Sequence, residues 1–240
     1  MSQRPRGEAK ALNSDVSTRI EAVATRLFIL HGYNGVSYLD IAREMGITHS
    51  SIHYYHRSKV NLAETVLRHV ADETLDAMKR IWADPATTLF DKFVATRDWI
   101  HGRYLLFNPQ GKGGQPWGLL ARFTADAEAL TAPMRRLIRS SVDRLEGHIA
   151  TGVEAEWRRG GLAADAPRNG ITLQIASLMS IAGQVTRHSS GFERLDALMR
   201  WTYAAIDRAY SREPNTRVWP ELPPVRQNAP AFDDAEALAS

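Results

Sequence analysis

The sequence predicts an all-α fold, with a small three-helix domain at the N-terminus and a larger helical domain after it. Apolar residues recur at helical spacing in almost every segment, and no run of alternating β-branched residues indicates a sheet. Capping residues and glycines separate one helix from the next. A chain of 240 residues is long enough for two such domains, which we place at 14–74 and 76–212.

The first predicted helix has a continuous apolar face and ends at a glycine. The face repeats at i, i+3, i+4, i+7 and i+8 and consists of Ile20, Val23, Ala24, Leu27 and Phe28. Ser17 or Thr18 is suited to cap the start of this helix, and Gly32 is suited to end it.

Two short helices joined by a tight turn follow at about residues 37–56, which is the pattern of a helix-turn-helix motif. Ser37 is suited to cap the first of them. Gly46 permits the left-handed backbone that such a turn requires. Thr48 then caps the second short helix, which ends at His56.

Longer helices fill most of the remaining chain. We predict a fourth helix from a cap at Ser58 to about residue 82. Five more are predicted at about 86–107, 116–128, 132–159, 168–188 and 192–211. Glycine and proline make the stretch 108–116 a flexible loop.

The segment 213–240 contains five prolines and ends acidic. We predict that it is extended and mobile, because proline cannot continue a helix and the segment has few apolar anchors. The alternative is an ordered arm packed by Val218, Trp219 and Leu222.

Composition excludes several classes of protein. The chain has no cysteine, which excludes a disulfide framework and a thiolate metal site. The N-terminus lacks the apolar core of a signal peptide, and the longest apolar stretches are too short and too polar to span a bilayer. We therefore expect a cytoplasmic protein without a membrane partner.

Charge is distributed unevenly, although the net charge is only +3. Residues 1–60 hold eight Arg and Lys against five Asp and Glu, whereas residues 213–240 hold two Arg against five acids. A basic end favours a polyanionic partner. On charge alone, ordinary variation of a protein surface explains the asymmetry equally well.

The second short helix has a surface that is rich in hydroxyl and aromatic groups. These groups are Thr48, His49, Ser50, Ser51, His53, Tyr54 and Tyr55. Their hydrogen-bonding atoms suit phosphates and the edges of bases. No acid occurs in the nineteen residues between Glu44 and Glu64, which favours a surface that faces phosphate.

Lys59 stands in the first turn of the fourth helix, where the helix dipole disfavours a cation by about 0.3–1 kcal/mol. An external anion at this helix start would balance the charge, because the first N–H groups of a helix also attract phosphate. The alternative is an incidental surface lysine.

Three histidines, His49, His53 and His56, lie at i, i+4 and i+7 and raise the alternative of a metal site. No acid lies close in sequence to complete such a site or to orient an imidazole. We therefore predict no metal and no cofactor.

Three stretches between residues 18 and 67 form a longer pattern: ATRLFILHGYNGVS, LDIAREMGITHSSIHYYHRSK and NLAETVL. Over this span the chain resembles the DNA-binding domain of TetR-family transcriptional regulators. The resemblance implies that Ser37 and Tyr38 lie near the DNA backbone. It implies that Thr48, His49, Ser50 and Ser51 enter the major groove, with His49 and Ser50 as our candidates for base edges. It also implies phosphate-contacting or groove-lining positions for His53, Tyr54, Tyr55 and Lys59.

Two residues depart from the family pattern. His53 stands where the family usually has tyrosine, and His56 stands where it usually has phenylalanine. We expect His56 to point into the small core, where a neutral imidazole needs a hydrogen-bond partner. This makes the domain less stable or sensitive to pH.

Two late helices carry seams of coiled-coil-like spacing. One seam consists of Ile171, Ile175, Leu178, Ala182 and Val185, and the other of Leu195, Leu198, Thr202, Ala205 and Ala209. Two such helices from each of two chains would form a four-helix interface. The alternative is a pair of buried helices in a monomer. The family resemblance favours a homodimer, whose two recognition helices would read a palindromic site.

The resemblance further implies that the domain at 76–212 binds an effector and dimerises. The candidates for an effector pocket are Trp99, Arg103, Tyr104, Phe107, Trp117, Arg122, Phe123 and His148. We expect most of the aromatic residues among them to be ordinary core, because large aromatics at helical spacing usually are.

The resemblance implies a regulator that binds double-stranded DNA, most simply a repressor released from its operator by a small molecule. The alternative is a helical interaction protein that uses the fold without specific DNA readout. We do not predict an enzyme, because the sequence has no nucleophile elbow, HExxH motif or dinucleotide fingerprint.

Overall fold

The structure, a computed structural model, describes residues 6–225 and the side chains of residues 15–225. Over this range it consists of helices and a short 3₁₀ turn at Ala127–Ala129, with no strand. The helices are α1 (Arg6–His31), α2 (Tyr38–Met45), α3 (His49–Tyr55), α4 (Lys59–Trp82), α5 (Leu89–Phe107), α6 (Leu119–Ala125), α7 (Ala132–Arg158), α8 (Arg168–Ser189) and α9 (Glu193–Tyr210). The predicted all-α fold is confirmed. None of the described helices is both long and apolar enough to cross a membrane.

The chain divides into two compact units. The first comprises the described residues before 72 together with 119–137, and the second comprises the remainder. The predicted domains at 14–74 and 76–212 are continuous along the chain. The structure instead groups α6 with the N-terminal helices, and α4 and α7 each contribute to both units.

Helix α1 begins at Arg6, well before the predicted caps at Ser17 and Thr18. No proline interrupts the chain between residues 6 and 31, so nothing in the backbone forces a later start. The Ser17 hydroxyl donates instead to Glu21 Oε1, one turn further along (3.3 Å). The predicted end is confirmed, because Gly32 follows the helix with a positive φ of 77°.

Helices α2 and α3 form the predicted helix-turn-helix. Ser37 caps α2 in a capping box, in which its hydroxyl accepts from Asp40 N–H and its own N–H donates to the Asp40 carboxylate. Gly46 ends α2 with a φ of 65°. Thr48 then caps α3, and Ile52 is the fully buried residue that anchors α3 to the core.

Helix α6 completes the core of the first unit. The Phe123 ring packs edge-on against Phe28 (ring centroids 5.6 Å apart) and Tyr33 (6.1 Å). The Tyr33 N–H donates to Asp126 Oδ2 at 2.9 Å. A Cβ at Gly32 would lie 2.3 Å from the same carboxylate oxygen, so this approach requires glycine.

The core of the second unit forms where α9 packs against α5 and α8. Its larger buried members include Trp82, Phe90, Phe93, Tyr104, Ile175, Phe192, Leu195 and Met199. Burial of this much apolar surface is what holds helices of modest intrinsic propensity in place.

Residues 213–225 pack against the second unit and do not form the predicted free tail. The buried Arg97 guanidinium donates to the carbonyl oxygens of Pro220 (2.6 Å) and Glu221 (3.4 Å). Trp219 packs on the core, as does Leu222. The prediction of a free tail is corrected for these residues, because the segment gives the buried guanidinium two acceptors in addition to the carboxylates of Asp98 and Asp196.

The ordered arm that the sequence left as an alternative is therefore present in part. Trp219 and Leu222 pack as that alternative requires, whereas Val218 is 87% exposed. The part of the predicted tail at 226–240 lies outside the described residues.

Candidate nucleic-acid interface

The start of α3 presents the residues that were expected to enter the groove. Thr48 Oγ1 accepts from Ser51 N–H (3.2 Å) and lies 2.8 Å from the Ser51 hydroxyl oxygen. This pair fixes the first turn of the helix. His49 and Ser50, between them, are exposed to solvent, as a base-reading role requires.

The His49 and His53 rings continue the same face and contact each other and the buried Tyr38 ring. The His53 ring lies 4.8 Å from the Tyr38 ring and 4.6 Å from the His49 ring, measured between centroids. The contacts are edge-to-face and restrict the directions of both imidazoles. Within the part of the chain that the structure describes, no group of three or more His, Asp and Glu side chains is arranged to hold a metal ion.

Tyr38 supports this surface from beneath and is not part of it. Its side chain is buried, with 6% of the residue exposed, and its hydroxyl donates to the carbonyl oxygen of His56 at 2.8 Å. Burial raises the pKa of Tyr38 to about 12. The Tyr38 hydroxyl is therefore already used inside the domain, and the place of Tyr38 near the DNA backbone stays a prediction.

The acids nearest this surface are occupied by neighbours. The Asp40 carboxylate accepts from the Ser37 hydroxyl (2.6 Å) and the Ser37 N–H (2.8 Å), and these bonds lower the pKa of Asp40. Glu44 pairs with Arg26. Ser37 itself is exposed, but its hydroxyl is engaged in the capping box.

Two tyrosines extend the surface towards the end of α3. Tyr54 is 73% exposed, which is unusual for so large an apolar ring. The Tyr55 ring lies 5.1 Å from it in an edge-to-face contact. The pair offers aromatic and hydroxyl groups next to Arg57 and Lys59, a combination suited to sugar and phosphate.

Lys59 is the first residue of α4, and a residue that the sequence analysis did not select lies beneath it. The Lys59 ammonium lies 4.3 Å from the centre of the Tyr33 ring. Burial lowers the pKa of Lys59, and the nearby Asp40 carboxylate opposes that shift. The sequence does contain a signal that could have identified Tyr33, because it is an aromatic residue directly after Gly32, the glycine that ends α1.

His56 points into the small core, as expected, and has polar neighbours there. Its Nε2 atom lies 3.4 Å from the Ser17 hydroxyl and 3.5 Å from Glu21 Oε1. The other Glu21 oxygen lies 3.0 Å from His69 Nδ1. Burial lowers the pKa of His56, and Glu21 partly opposes that shift.

The residues predicted for an effector pocket do not gather at one place. Arg122 and Phe123 belong to the first unit, where Phe123 packs on Phe28 and Arg122 Nε lies 3.8 Å from Asp126. Their assignment to a pocket in the second domain is corrected. The aromatic pattern of the sequence does not distinguish a ring that serves one core from a ring that serves the other.

Two further pocket candidates are structural. The buried Tyr104 donates its hydroxyl proton to the carbonyl oxygen of Gly113 at 2.9 Å, which ties down the glycine-rich loop. The buried Trp117 donates its indole N–H to Thr186 Oγ1 at 2.9 Å. Both polar groups are thereby satisfied within the fold.

The other four pocket candidates lie in the second unit and are only partly constrained. Arg103 donates to Glu73 (2.7 Å) and its guanidinium carbon lies 6.0 Å from the Trp99 ring. Burial raises the pKa of Glu73, and Arg103 opposes that shift. His148 is half-buried and Phe107 packs on the core.

An open polar cavity of about 630 Å³ lies instead in the first unit, beside Asn34 and residues 124–129.

The predicted dimer seam is mostly used within the chain. Five of its members are buried in the core of the same chain: Ile171, Ile175, Leu178, Ala182 and Leu195. These five are corrected as interface residues, because helical spacing defines a face of a helix but not the partner of that face. Val185, Leu198 and Thr202 are half-buried, whereas Ala205 and Ala209 are exposed.

The large apolar residues that α8 and α9 expose are different ones. They are Leu173 and Ile181 on α8 and Trp201 on α9. Exposed side chains of this size on adjacent helices are typical of an interaction surface.

The fold and the α3 surface define the class of the protein as an all-α helix-turn-helix protein. Residues 20–66 match the family model described as bacterial regulatory proteins, tetR family. Residues 20–66 therefore correspond to the helix-turn-helix domain of this family, and the resemblance inferred from the sequence is confirmed over them. No curated protein matches the chain by sequence.

Solved structures share the fold beyond this domain. A TetR transcriptional regulator from Chloroflexus aurantiacus J-10-FL is 19% identical with a TM-score of 0.70, and the match covers 84% of this chain and 98% of that one. A TetR-family regulator from Agrobacterium tumefaciens is 17% identical with a TM-score of 0.69, covering 82% and 98%. A putative transcriptional regulator from Saccharomonospora viridis, in complex with choline, is 20% identical with a TM-score of 0.68, covering 83% and 100%. The chain therefore has the fold of TetR-family transcriptional regulators.

Proposed function

We propose that the protein is a sequence-specific transcriptional regulator that reads double-stranded DNA with α3 and contacts phosphate with the start of α4. The observation that supports this best is the exposed face at the start of α3. His49 and Ser50 face solvent there on a turn that Thr48 fixes, and the Lys59 ammonium lies at the start of the next helix. Base-edge donors flanked by phosphate contacts are what specific readout requires.

A homodimer would complete the reading surface. Helix α3 has seven residues and can reach few base pairs, so two copies related by a two-fold axis would read a palindromic operator. The exposed Leu173, Ile181 and Trp201 support an interface on α8 and α9. Ala205 and Ala209, also exposed, would permit close approach of a partner helix.

Repression with release by a small molecule is the mode of regulation that we propose. The Saccharomonospora viridis protein of this fold carries choline, which supports a small effector for the second unit here. Arg103, Trp99 and His148 are the candidates that still fit a pocket with an apolar wall and a few polar groups. A ligand that prefers the non-binding state by about 5.5 kcal/mol would shift the population from 99:1 to 1:99.

The second candidate is a helical interaction protein that uses this fold without specific readout. The exposed apolar side chains of α8 and α9 favour it as much as they favour a dimer. It predicts weak DNA binding that is the same for every duplex.

Selection of the purified protein on a random duplex pool separates the two proposals. A regulator enriches a palindromic consensus that binds two chains and loses affinity steeply as salt rises. If no sequence is enriched at low salt, with or without added candidate effectors, the regulator proposal is wrong and the interaction protein is favoured. A variant with His49→Ala and Ser50→Ala is the matched control, since it should enrich no consensus.

A further inference from the structure

The Lys59 ammonium lies at the start of α4, where we propose a phosphate contact, and no carboxylate of residues 15–225 forms an ion pair with it. It lies over the face of the Tyr33 ring, 4.3 Å from the centroid. The carboxylate that acts on it electrostatically, Asp40, is held by two hydrogen bonds from Ser37. A lysine side chain is long and flexible, so the Tyr33 ring is the feature that restricts it.

Tyr33 is itself fixed from three sides. Its backbone N–H donates to Asp126 Oδ2 at 2.9 Å. Its ring is stacked with Phe28 (centroids 6.2 Å apart) and meets the edge of Phe123 (6.1 Å). A ring held in this way presents a stationary negative face, and ammonium groups are attracted to the faces of aromatic rings.

We propose that Tyr33 is a positioning residue that holds the Lys59 ammonium for a DNA phosphate. A contact with a ring face differs from a salt bridge in one respect that matters here. A carboxylate would accept the N–H groups of the ammonium, whereas the ring restricts the group and leaves N–H donors for an external oxygen. The inference rests on the proposed function, because it assumes that Lys59 meets DNA.

The test is a double-mutant cycle on DNA binding. A duplex of random sequence is the probe, because a phosphate contact does not depend on sequence. Tyr33→Leu is expected to weaken binding about two- to fivefold, the factor that a surface cation–π contact implies. In a Lys59→Ala background the same change should have no further effect on binding, since the positioned group is gone.

Tyr33→Phe is the matched control. It keeps the ring beneath Lys59 and should bind like the original chain. An equal loss from Tyr33→Leu with and without Lys59, or a loss from Tyr33→Phe as large as that from Tyr33→Leu, would overturn the proposal. Thermal unfolding of each variant identifies any loss that is due to misfolding.

A second readout does not depend on a folded Tyr33→Leu variant. Protons that lie over the face of an aromatic ring are shielded. The NMR signals of the Lys59 ε-methylene should therefore lie upfield of those of other lysines, and they should stay there in Tyr33→Phe. Signals at the ordinary lysine position would overturn the positioning role even if DNA binding is intact. A folded protein that binds no DNA at all would overturn the proposed function together with this inference, whereas binding with an additive cycle would overturn this inference only.

Discussion

At the scale of the residue, the His56 imidazole is buried in the core of the first unit. It is 7% exposed, and its ring nitrogen has the Ser17 hydroxyl and one Glu21 oxygen as polar neighbours. The other oxygen of the Glu21 carboxylate lies near His69, so this carboxylate interacts with two imidazole rings. Desolvation of the charged imidazolium is therefore the larger influence on His56 and lowers its pKa.

The first prediction concerns the pH dependence of stability. Because the pKa of His56 is lower in the folded chain than its ordinary value of 6.5, the unfolded chain binds more protons below that pH. The stability that a neutral His56 contributes is present above pH 6.5 and is lost as the pH falls from there towards the folded pKa. His56→Phe should remove this loss, measured as the free energy of unfolding against pH.

The matched control for this prediction is His188→Gln, which changes a histidine that is exposed to solvent. It should keep the original pH dependence. If His56→Phe leaves both the melting temperature and its pH dependence unchanged, the buried histidine does not affect stability.

The second prediction separates the two roles considered for Tyr38. Tyr38→Phe removes the hydroxyl that donates to the His56 carbonyl and should lower the free energy of unfolding by about 0.5–1.5 kcal/mol. DNA affinity under conditions where the variant is folded should be unchanged. Weakened DNA binding without any loss of stability would instead indicate that the Tyr38 hydroxyl contacts DNA directly.

The sequence predicts the contacts of individual residues less completely than it predicts the helices. The exposed positions of His49, Ser50 and Tyr54 follow from the pattern, because a short helix with one core anchor must expose its other faces. The position of Tyr33 under Lys59 does not follow from any local pattern. Twenty-five residues of chain separate the two, and only the folding of the first unit brings them together.

At the scale of the element, capping residues predicted the helix boundaries well. Ser37, Gly46 and Thr48 mark the bounds of α2 and α3, and α4 runs from 59 to 82 as predicted. The start of α1 was missed because Ser17 is compatible with both a cap and a helix interior. The ordered arm at 213–225 was only the alternative to a free tail, because the acceptors that it gives Arg97 are backbone carbonyls, which composition does not reveal.

The third prediction concerns that arm. A chain ending at residue 212 would remove the carbonyl oxygens of Pro220 and Glu221 from Arg97, which keeps its ion pairs with Asp98 and Asp196, and should lower the free energy of unfolding by about 1.5–3 kcal/mol. A chain ending at residue 225, which keeps the arm, is the matched comparison and should be the more stable of the two. Equal stability of the two truncated chains in thermal unfolding would show that the arm contributes nothing.

At the scale of the whole molecule, periodicity predicted the apolar faces of α8 and α9. The face predicted on α8 packs into the core of its own chain, however, and not against a second chain. Ile175 and Leu178 lie in the core of their own chain, so the alternative of buried helices holds for that seam. The face that is available for a partner carries Leu173 and Trp201 instead. A sequence cannot distinguish these cases, because both place apolar residues at the same spacing.

The fourth prediction tests this face in the proposed homodimer. Trp201 is 63% exposed in the single chain, so Trp201→Glu should leave the monomer folded while it places a charge in the interface. Sedimentation should show the original chain as a dimer and the variant as a monomer at the same concentration. Val142→Glu, on an exposed position of α7, is the control and should stay dimeric. A variant that sediments as a dimer would place the interface elsewhere.

The most direct test of the account is the binding of three chains to one selected duplex and to the same duplex with altered base pairs, measured across salt concentrations. The original chain should discriminate strongly between the two duplexes. The variant with His49→Ala and Ser50→Ala should no longer discriminate between the duplexes, but the slope of its log affinity against log salt concentration should be unchanged. Lys59→Ala should weaken binding to both duplexes equally and reduce the slope by about 0.9. If the His49 and Ser50 variant still discriminates, or if both variants lose the same property, α3 and the start of α4 do not have the separate roles proposed for them.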